Sequence, residues 1–152
     1  MLKMKIVSLS AALVLSTAIL PVVQAGVPGI KGGDQLQAEV LKHVKNIRTA
    51  ELKKLLADNP EVALIDVRLP SEVTSMGGAI KAQQNVNIPR GWLEWRATNV
   101  ALKKDTPIVV YCGANIRSPL AADTLMKMGY TNVKNYSDGY IGWKRVGLPT
   151  AK

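Results

Sequence analysis

The sequence predicts a single α/β domain built on a mainly parallel sheet. Apolar runs alternate with segments whose apolar residues recur at helical spacing, the pattern of strand–helix–strand units. The two most apolar runs, residues 62–65 and 108–111, are continuous rather than alternating, as strands buried on both faces are. Each run leads into polar or reactive residues, Asp66-Val67-Arg68 in one case and Cys112 in the other. In open α/β sheets the carboxyl ends of strands are where ligands bind. A chain of 152 residues holds one such domain with a real core and is too short for two.

Taken in order, residues 26–34 are Gly-rich and read as a flexible lead-in. Leu36, Val40, Leu41 and Val44 then fall at helical spacing over residues 35–45, so residues 26–46 read as an N-terminal extension containing a short amphipathic helix. His43 sits there among lysines and reads as a surface residue without chemistry. Residues 46–48 suit a brief strand. Thr49 is placed to cap a helix running to Asp58, with Leu52, Leu55 and Leu56 on its inner face and Asn59-Pro60 as its stop. After the strand ending at Asp66, residues 70–76 start a short helix that Gly77-Gly78 breaks. Residues 86–89 form a strand closed by Pro89, and residues 90–97 a helix with Trp92 and Trp95 on one face. Those two tryptophans read first as core or rim packing and second as a wall of an active-site mouth. Leu120, Ala121, Leu125 and Met128 give a helix over residues 118–128 with Gly129 as its C-terminal stop. Residues 131–136 are a further strand, 137–139 a turn, and 140–146 a last helix with Trp143 inward, after which Gly147-Leu148-Pro149 ends the fold.

Residues 1–25 stand apart. Lys3 and Lys5 precede an apolar run broken only by Ser and Thr, Pro21 ends it, and Val23-Gln24-Ala25 is a small-x-small cleavage site. This reads as a secretory signal peptide cut after Ala25, which places the protein in the periplasm or outside the cell. The rival reading is a retained membrane anchor, against which the run is short and lacks a basic stop. Cleavage would remove two lysines and no acid, lowering the net charge from +9 to +7. A basic chain with scattered lysines and no nucleic-acid signature favours small anionic substrates. One cysteine in an exported chain forms no internal disulfide, so it is a pairing site for another molecule or a free thiol. One Cys and one His make no ligand cluster, and no metal or other cofactor is expected.

The stretch with the most chemistry is Tyr111-Cys112-Gly113-Ala114-Asn115-Ile116-Arg117-Ser118-Pro119. Its order is strand, tight loop, helix start, with Pro119 in the first helical turn. Such a loop turns several backbone N–H groups toward one point, where the positive end of the helix dipole also lies. A cysteine there has its thiolate stabilised by those donors and by Arg117. The plainer alternative is a small buried hydrophobe at a strand end. Asp66 and Arg68 read first as a structural ion pair holding the following loop, and second as groups with direct chemistry.

These residues resemble a known family. Ile65-Asp66-Val67-Arg68 with Glu72, then Asn87-Ile88-Pro89, is similar to the opening signatures of single-domain rhodaneses. Tyr111-Cys112 through Arg117-Ser118, then Ala121-Ala122, Leu125 and Gly129-Tyr130, resembles their active-site loop and the helix after it. Asn132-Val133, Asp138-Gly139, Trp143 and Gly147-Leu148-Pro149 resemble their closing segment. The likeness covers residues 47–149 and implies a rhodanese-like domain over 47–150, a mainly parallel five-stranded sheet flanked by helices on both faces. It departs from the family at Asn115, where Gly is usual, and at residues 78–83, where Gly-His-Ile-Pro-Gly-Ala is usual and about two residues are added. Asn tolerates a left-handed backbone better than most residues, so the loop is expected to close.

The resemblance implies sulfur transfer. Cys112 would attack a sulfane donor such as thiosulfate, and its persulfide would sit among the N–H groups of Gly113, Ala114, Asn115, Ile116, Arg117 and Ser118. Cyanide or a thiol would then take the sulfur, and a protein sulfur acceptor or reductant is a further partner class. Arg117 would orient the anionic donor and hold the loop. Ser118 would cap the helix or donate its hydroxyl, with capping preferred. A noncatalytic persulfide carrier or redox sensor is the alternative of a different class. A cysteine phosphatase or arsenate reductase is the nearest enzymatic rival. Those loops resemble Cys, five residues, Arg, whereas only four residues separate Cys112 from Arg117.

Overall fold

The computed structural model describes residues 29–152, and residues Lys31–Lys152 form one body. The signal-peptide assignment, residues 1–25, lies outside the described residues. Five parallel strands make the sheet: β1 (Asn46–Ile47), β2 (Ala63–Asp66), β4 (Asn85–Asn87), β5 (Ile108–Tyr111) and β6 (Val133–Tyr136). Their order is β1-β6-β5-β2-β4, and all four pairings are parallel. The continuous apolar runs of β2 and β5 occupy its interior and are buried at every position.

The strand alternation decides which helix covers which face. Ile65, Val67, Ile108, Val110 and Cys112 point to one side, where α1 (Gly33–Val40), α4 (Leu93–Arg96) and α5 (Ser118–Lys127) bury Val40, Leu93, Ala121 and Leu125 against them. Leu64, Val109, Tyr111 and Tyr136 point to the other. There α2 (Thr49–Asp58) contributes Leu52, and α6 (Gly139–Arg145) contributes Tyr140 and Trp143. The expected α/β architecture with helices on both faces is therefore present.

Several local expectations change. Thr49 does not cap α2: it is the helix's first residue, and its hydroxyl bonds Tyr136 Oη at 2.7 Å and donates to Asp138 Oδ2 at 2.8 Å. The N–H of Arg48, just before it, is instead taken by Glu51 three residues on. The helix expected over residues 90–97 is a single α-turn between two 3-10 turns, Arg90–Trp92 and Ala97–Asn99. Trp92 and Trp95 are exposed rather than core, with the Arg96 guanidinium 4.8 Å from the Trp92 ring centre. Trp143 is buried as expected and donates its indole N–H to the Pro149 carbonyl at 2.8 Å.

The chain also continues past Pro149. β7 (Thr150–Ala151) pairs antiparallel with β3 (Ala79–Ile80), beyond α3 (Pro70–Ser75). Gly78 has φ +112°, and a Cβ there would lie 2.1 Å from the Ala151 carbonyl oxygen, so the departure from the family pattern at residues 78–83 is where the C-terminus seats. His43 is exposed, as expected of a surface residue, and it also tethers two elements. Its Nε2 lies 2.8 Å from the mostly buried carboxylate of Asp123, joining the segment after α1 to α5.

Candidate active site

Cys112 follows β5 directly, at the carboxyl edge of the sheet's middle strand, and is 1% exposed. The chain then turns through Gly113–Arg117 and enters α5 at Ser118-Pro119, where proline's fixed φ suits a first turn. The turn closes because Asn115 adopts φ +61°, the sole positive-φ residue other than glycine among the described residues. Asn115 thus takes the left-handed conformation that the loop requires of it.

Burial acts to push the Cys112 thiol up, and hydrogen bonds to its sulfur outweigh that effect. The Ser118 hydroxyl and the backbone N–H groups of Arg117, Ser118 and Ala114 all favour the thiolate, and the net shift is downward. The Ser118 hydroxyl is 3.5 Å from Sγ and makes no capping bond. The preferred expectation for Ser118, a helix cap, gives way to the donor role because the hydroxyl faces the sulfur.

Arg117 is half-exposed and paired. Nη1 and Nη2 form a fork on Glu72 at 2.7 and 2.5 Å, and Glu72 also accepts the N–H of Leu69 at 2.9 Å, ahead of α3. These bonds hold the Glu72 carboxyl down at about 2. This fork ties the loop to α3, in keeping with the loop-holding role expected of Arg117. Glu72 belongs to the family resemblance, but the sequence alone assigns it no role. Its link to Arg117 spans 45 positions, beyond any local spacing rule.

Behind the loop, α6 supplies a second hold. Tyr140 N–H donates to the Cys112 carbonyl at 2.8 Å and Ile141 N–H to the Gly113 carbonyl at 3.0 Å. Gly139, with φ +62°, permits this approach: a Cβ there would lie 2.6 Å from the Gly113 oxygen. On the other side, Gln37 Nε2 donates to the Asn115 carbonyl at 2.6 Å, and Asn135 Nδ2 donates to Asn115 Oδ1 at 2.8 Å. Sequence reasoning misses Gln37, Asn135 and Gly139 as parts of the site. Only Gly139, in its Asp138-Gly139 turn, carries a local signal. Ile116 projects into solvent at 65% exposure.

Asp66 and Arg68 do not join this cradle. Both side chains are fully buried and form a bidentate pair, with Arg68 Nε 2.9 and 3.0 Å from the two Asp66 oxygens and Nη2 2.5 Å from one of them. Arg68 also donates to the Gly78 carbonyl at 2.9 Å and stacks 4.0 Å from the centre of the Tyr140 ring. Burial would lower the guanidinium's pKa, but the Asp66 carboxylate overrides it and the net shift is upward. The pair fixes the chain after β2 and braces α6, the geometry of a structural ion pair. Among the described residues no group of three or more His, Cys, Asp or Glu could hold a metal ion.

The sequence matches the rhodanese-like domain family over residues 48–146. A sulfurtransferase of Allochromatium vinosum is 35% identical over 106 residues, covering 70% of this chain and 94% of that protein. A thiosulfate sulfurtransferase of Escherichia coli is 32% identical over 88 residues, covering 58% of this chain and 77% of its own length. Among solved structures, the polysulfide-sulfur transferase homodimer of Wolinella succinogenes superposes with a TM-score of 0.67 at 30% identity, covering 78% of this chain and 88% of that one. With the sheet order, the loop after β5 and these likenesses together, the chain belongs to the rhodanese-like domain family.

Proposed function

We propose that this protein is a sulfurtransferase that moves sulfane sulfur through a persulfide on Cys112. The observation that carries the reading is the cradle itself: a buried thiol receiving the N–H groups of Ala114, Arg117 and Ser118 and the Ser118 hydroxyl. Such a site stabilises a negative sulfur through fixed hydrogen-bond donors alone. In the first step the Cys112 thiolate attacks the outer sulfur of thiosulfate or a similar donor. A new S–S bond forms, the donor's S–S bond breaks, and sulfite leaves with the electron pair. In the second, cyanide or a thiol attacks the outer sulfur of the persulfide, and the Cys112 thiolate is released in its starting state. The relatives divide over the donor, since one is named for thiosulfate and a structural neighbour for polysulfide. With residues 1–25 read as a cleaved export signal, the reaction takes place in the periplasm or outside the cell.

The short count from Cys112 to Arg117 separates this reading from phosphoryl or arsenate chemistry, because four intervening residues close on a sulfur rather than on a tetrahedral oxyanion. The test is intact mass after incubation with thiosulfate. A gain of one sulfur atom, absent in Cys112→Ala and reversed by cyanide, is the expected result. A chain that gains no mass from thiosulfate or from polysulfide ends the sulfurtransferase reading. Hydrolysis of an aryl phosphate that is lost in Cys112→Ser would replace it with a phosphatase.

A further inference from the structure

Helix α1 and the segment after it precede the residues matched to the family, 48–146, yet they reach the Cys112 loop. Their contact is with Asn115, whose left-handed backbone is unfavourable for any residue with a Cβ. Two side chains grip it. Gln37 of α1 donates to its carbonyl at 2.6 Å. Asn135 of β6, fully buried, donates both to Asn115 Oδ1 at 2.8 Å and to Asn46 Oδ1 at 2.7 Å. The backbone N–H of Asn135 is taken by the Lys45 carbonyl at 2.8 Å, so β6 and the extension are joined at this point. The extension is anchored in turn by Val40 and Val44, which share the core that contains Cys112, and by the contact of His43 with Asp123.

The position of these bonds separates them from ordinary packing. Asn115 lies between Ala114 and Arg117, in the turn that leads from Cys112 into α5, where the Ser118 hydroxyl is 3.5 Å from the sulfur. In a planar trans peptide the carbonyl and the following N–H point in opposite directions. Gln37, by pinning the Asn115 carbonyl, therefore fixes the direction of the Ile116 N–H away from α1. Rotating that peptide would change ψ of Asn115 and φ of Ile116, the torsions that close the turn between Cys112 and α5.

We propose that Gln37 and Asn135 are positioning residues for sulfur transfer, which hold Asn115 left-handed so that the loop N–H groups converge on Cys112. The N-terminal extension is then a working part of the site. As a statement about sulfur transfer it rests on the persulfide reading above, but its effect on the thiol can be read without any donor. Gln37→Met keeps the side chain's length and removes the donor. The expected result is an alkylation-against-pH profile for Cys112 displaced upward from wild type. Persulfide formation should slow about fivefold, on the scale of one lost hydrogen bond, with the thermal midpoint nearly unchanged. Gln37→Lys, which restores a donor, should recover most of the rate.

Asn135→Ala tests the other arm. It should impair the loop in the native background and cost little when combined with Asn115→Gly, because glycine takes the left-handed turn unaided. A wild-type alkylation profile in Gln37→Met overturns the proposal, whatever becomes of Asn135→Ala. An equal loss from Asn135→Ala in both backgrounds overturns the part assigned to Asn135. Wild-type protein that never gains sulfur sinks the persulfide reading instead, and the alkylation comparison then decides on its own whether these residues position the loop.

Discussion

Glu72 and Arg117 stay paired far into acid because the arginine's fork and the Leu69 N–H hold the carboxyl at about 2. An unfolded glutamate titrates at about 4.3, so the native pair contributes stability above that value and loses it as pH falls through the folded one. Wild-type protein should therefore lose thermal stability between about pH 4 and pH 2 by a component that Glu72→Gln lacks. Thermal melts across that range check it, and parallel curves for the two proteins would refute it. Beside this pair, Ser118→Ala removes the one side-chain hydroxyl on the sulfur. The Cys112 titration should move upward and alkylation at neutral pH should slow several-fold, as measured with iodoacetamide across pH. Cys112 and its activated setting are legible at this scale because strand end, loop and helix start are contiguous in sequence. The partners of Arg117 and Asn115 are not. They arrive from α3, α1 and β6, and no periodicity within one element encodes a contact across 45 or 78 positions.

The docking of α6 on the loop depends on a close approach that one methyl group would prevent. Gly139→Ala adds a Cβ against the Gly113 carbonyl and at φ +62°, where a side chain is disfavoured even in open space. Together these should lower stability by about 2–3 kcal/mol in chemical denaturation and reduce the rate of persulfide formation. A variant as stable as wild type would mean that α6 can shift without cost. The helices and the long strands are readable because their signals span many residues: β5 lies where its apolar run is, and α2 and α5 follow the leucine spacing. Two-residue elements such as β3 and β7 show no period at all. Thr49 reads as a cap because a Ser or Thr before a helix satisfies the capping rule, whereas Asp138, arriving from the end of β6, competes for the same hydroxyl.

Across the whole molecule, stability and chemistry are carried by different parts of the carboxyl edge. The buried Asp66–Arg68 pair braces β2, Gly78 and α6, while the C-terminal strand covers Gly78 from outside. Removing residues 150–152 should cost about 1–2 kcal/mol, the worth of a few hydrogen bonds, and leave Cys112 alkylation unchanged. Urea denaturation and the alkylation rate together check this, and a change in thiol reactivity would show that β7 reaches the site. Architecture is the most legible level of all, since two continuous apolar runs flanked by helical spacing leave few alternatives to a parallel sheet. The hold of Tyr140 and Ile141 on the carbonyls of Cys112 and Gly113 also ties the site to a segment that comes well after it in the chain. A polypeptide made from its N-terminus has synthesised the thiol, and the loop around it, well before the helix that fastens them. A chain interrupted before Gly139 would carry the cysteine and its loop but neither of the two donors that hold their carbonyls.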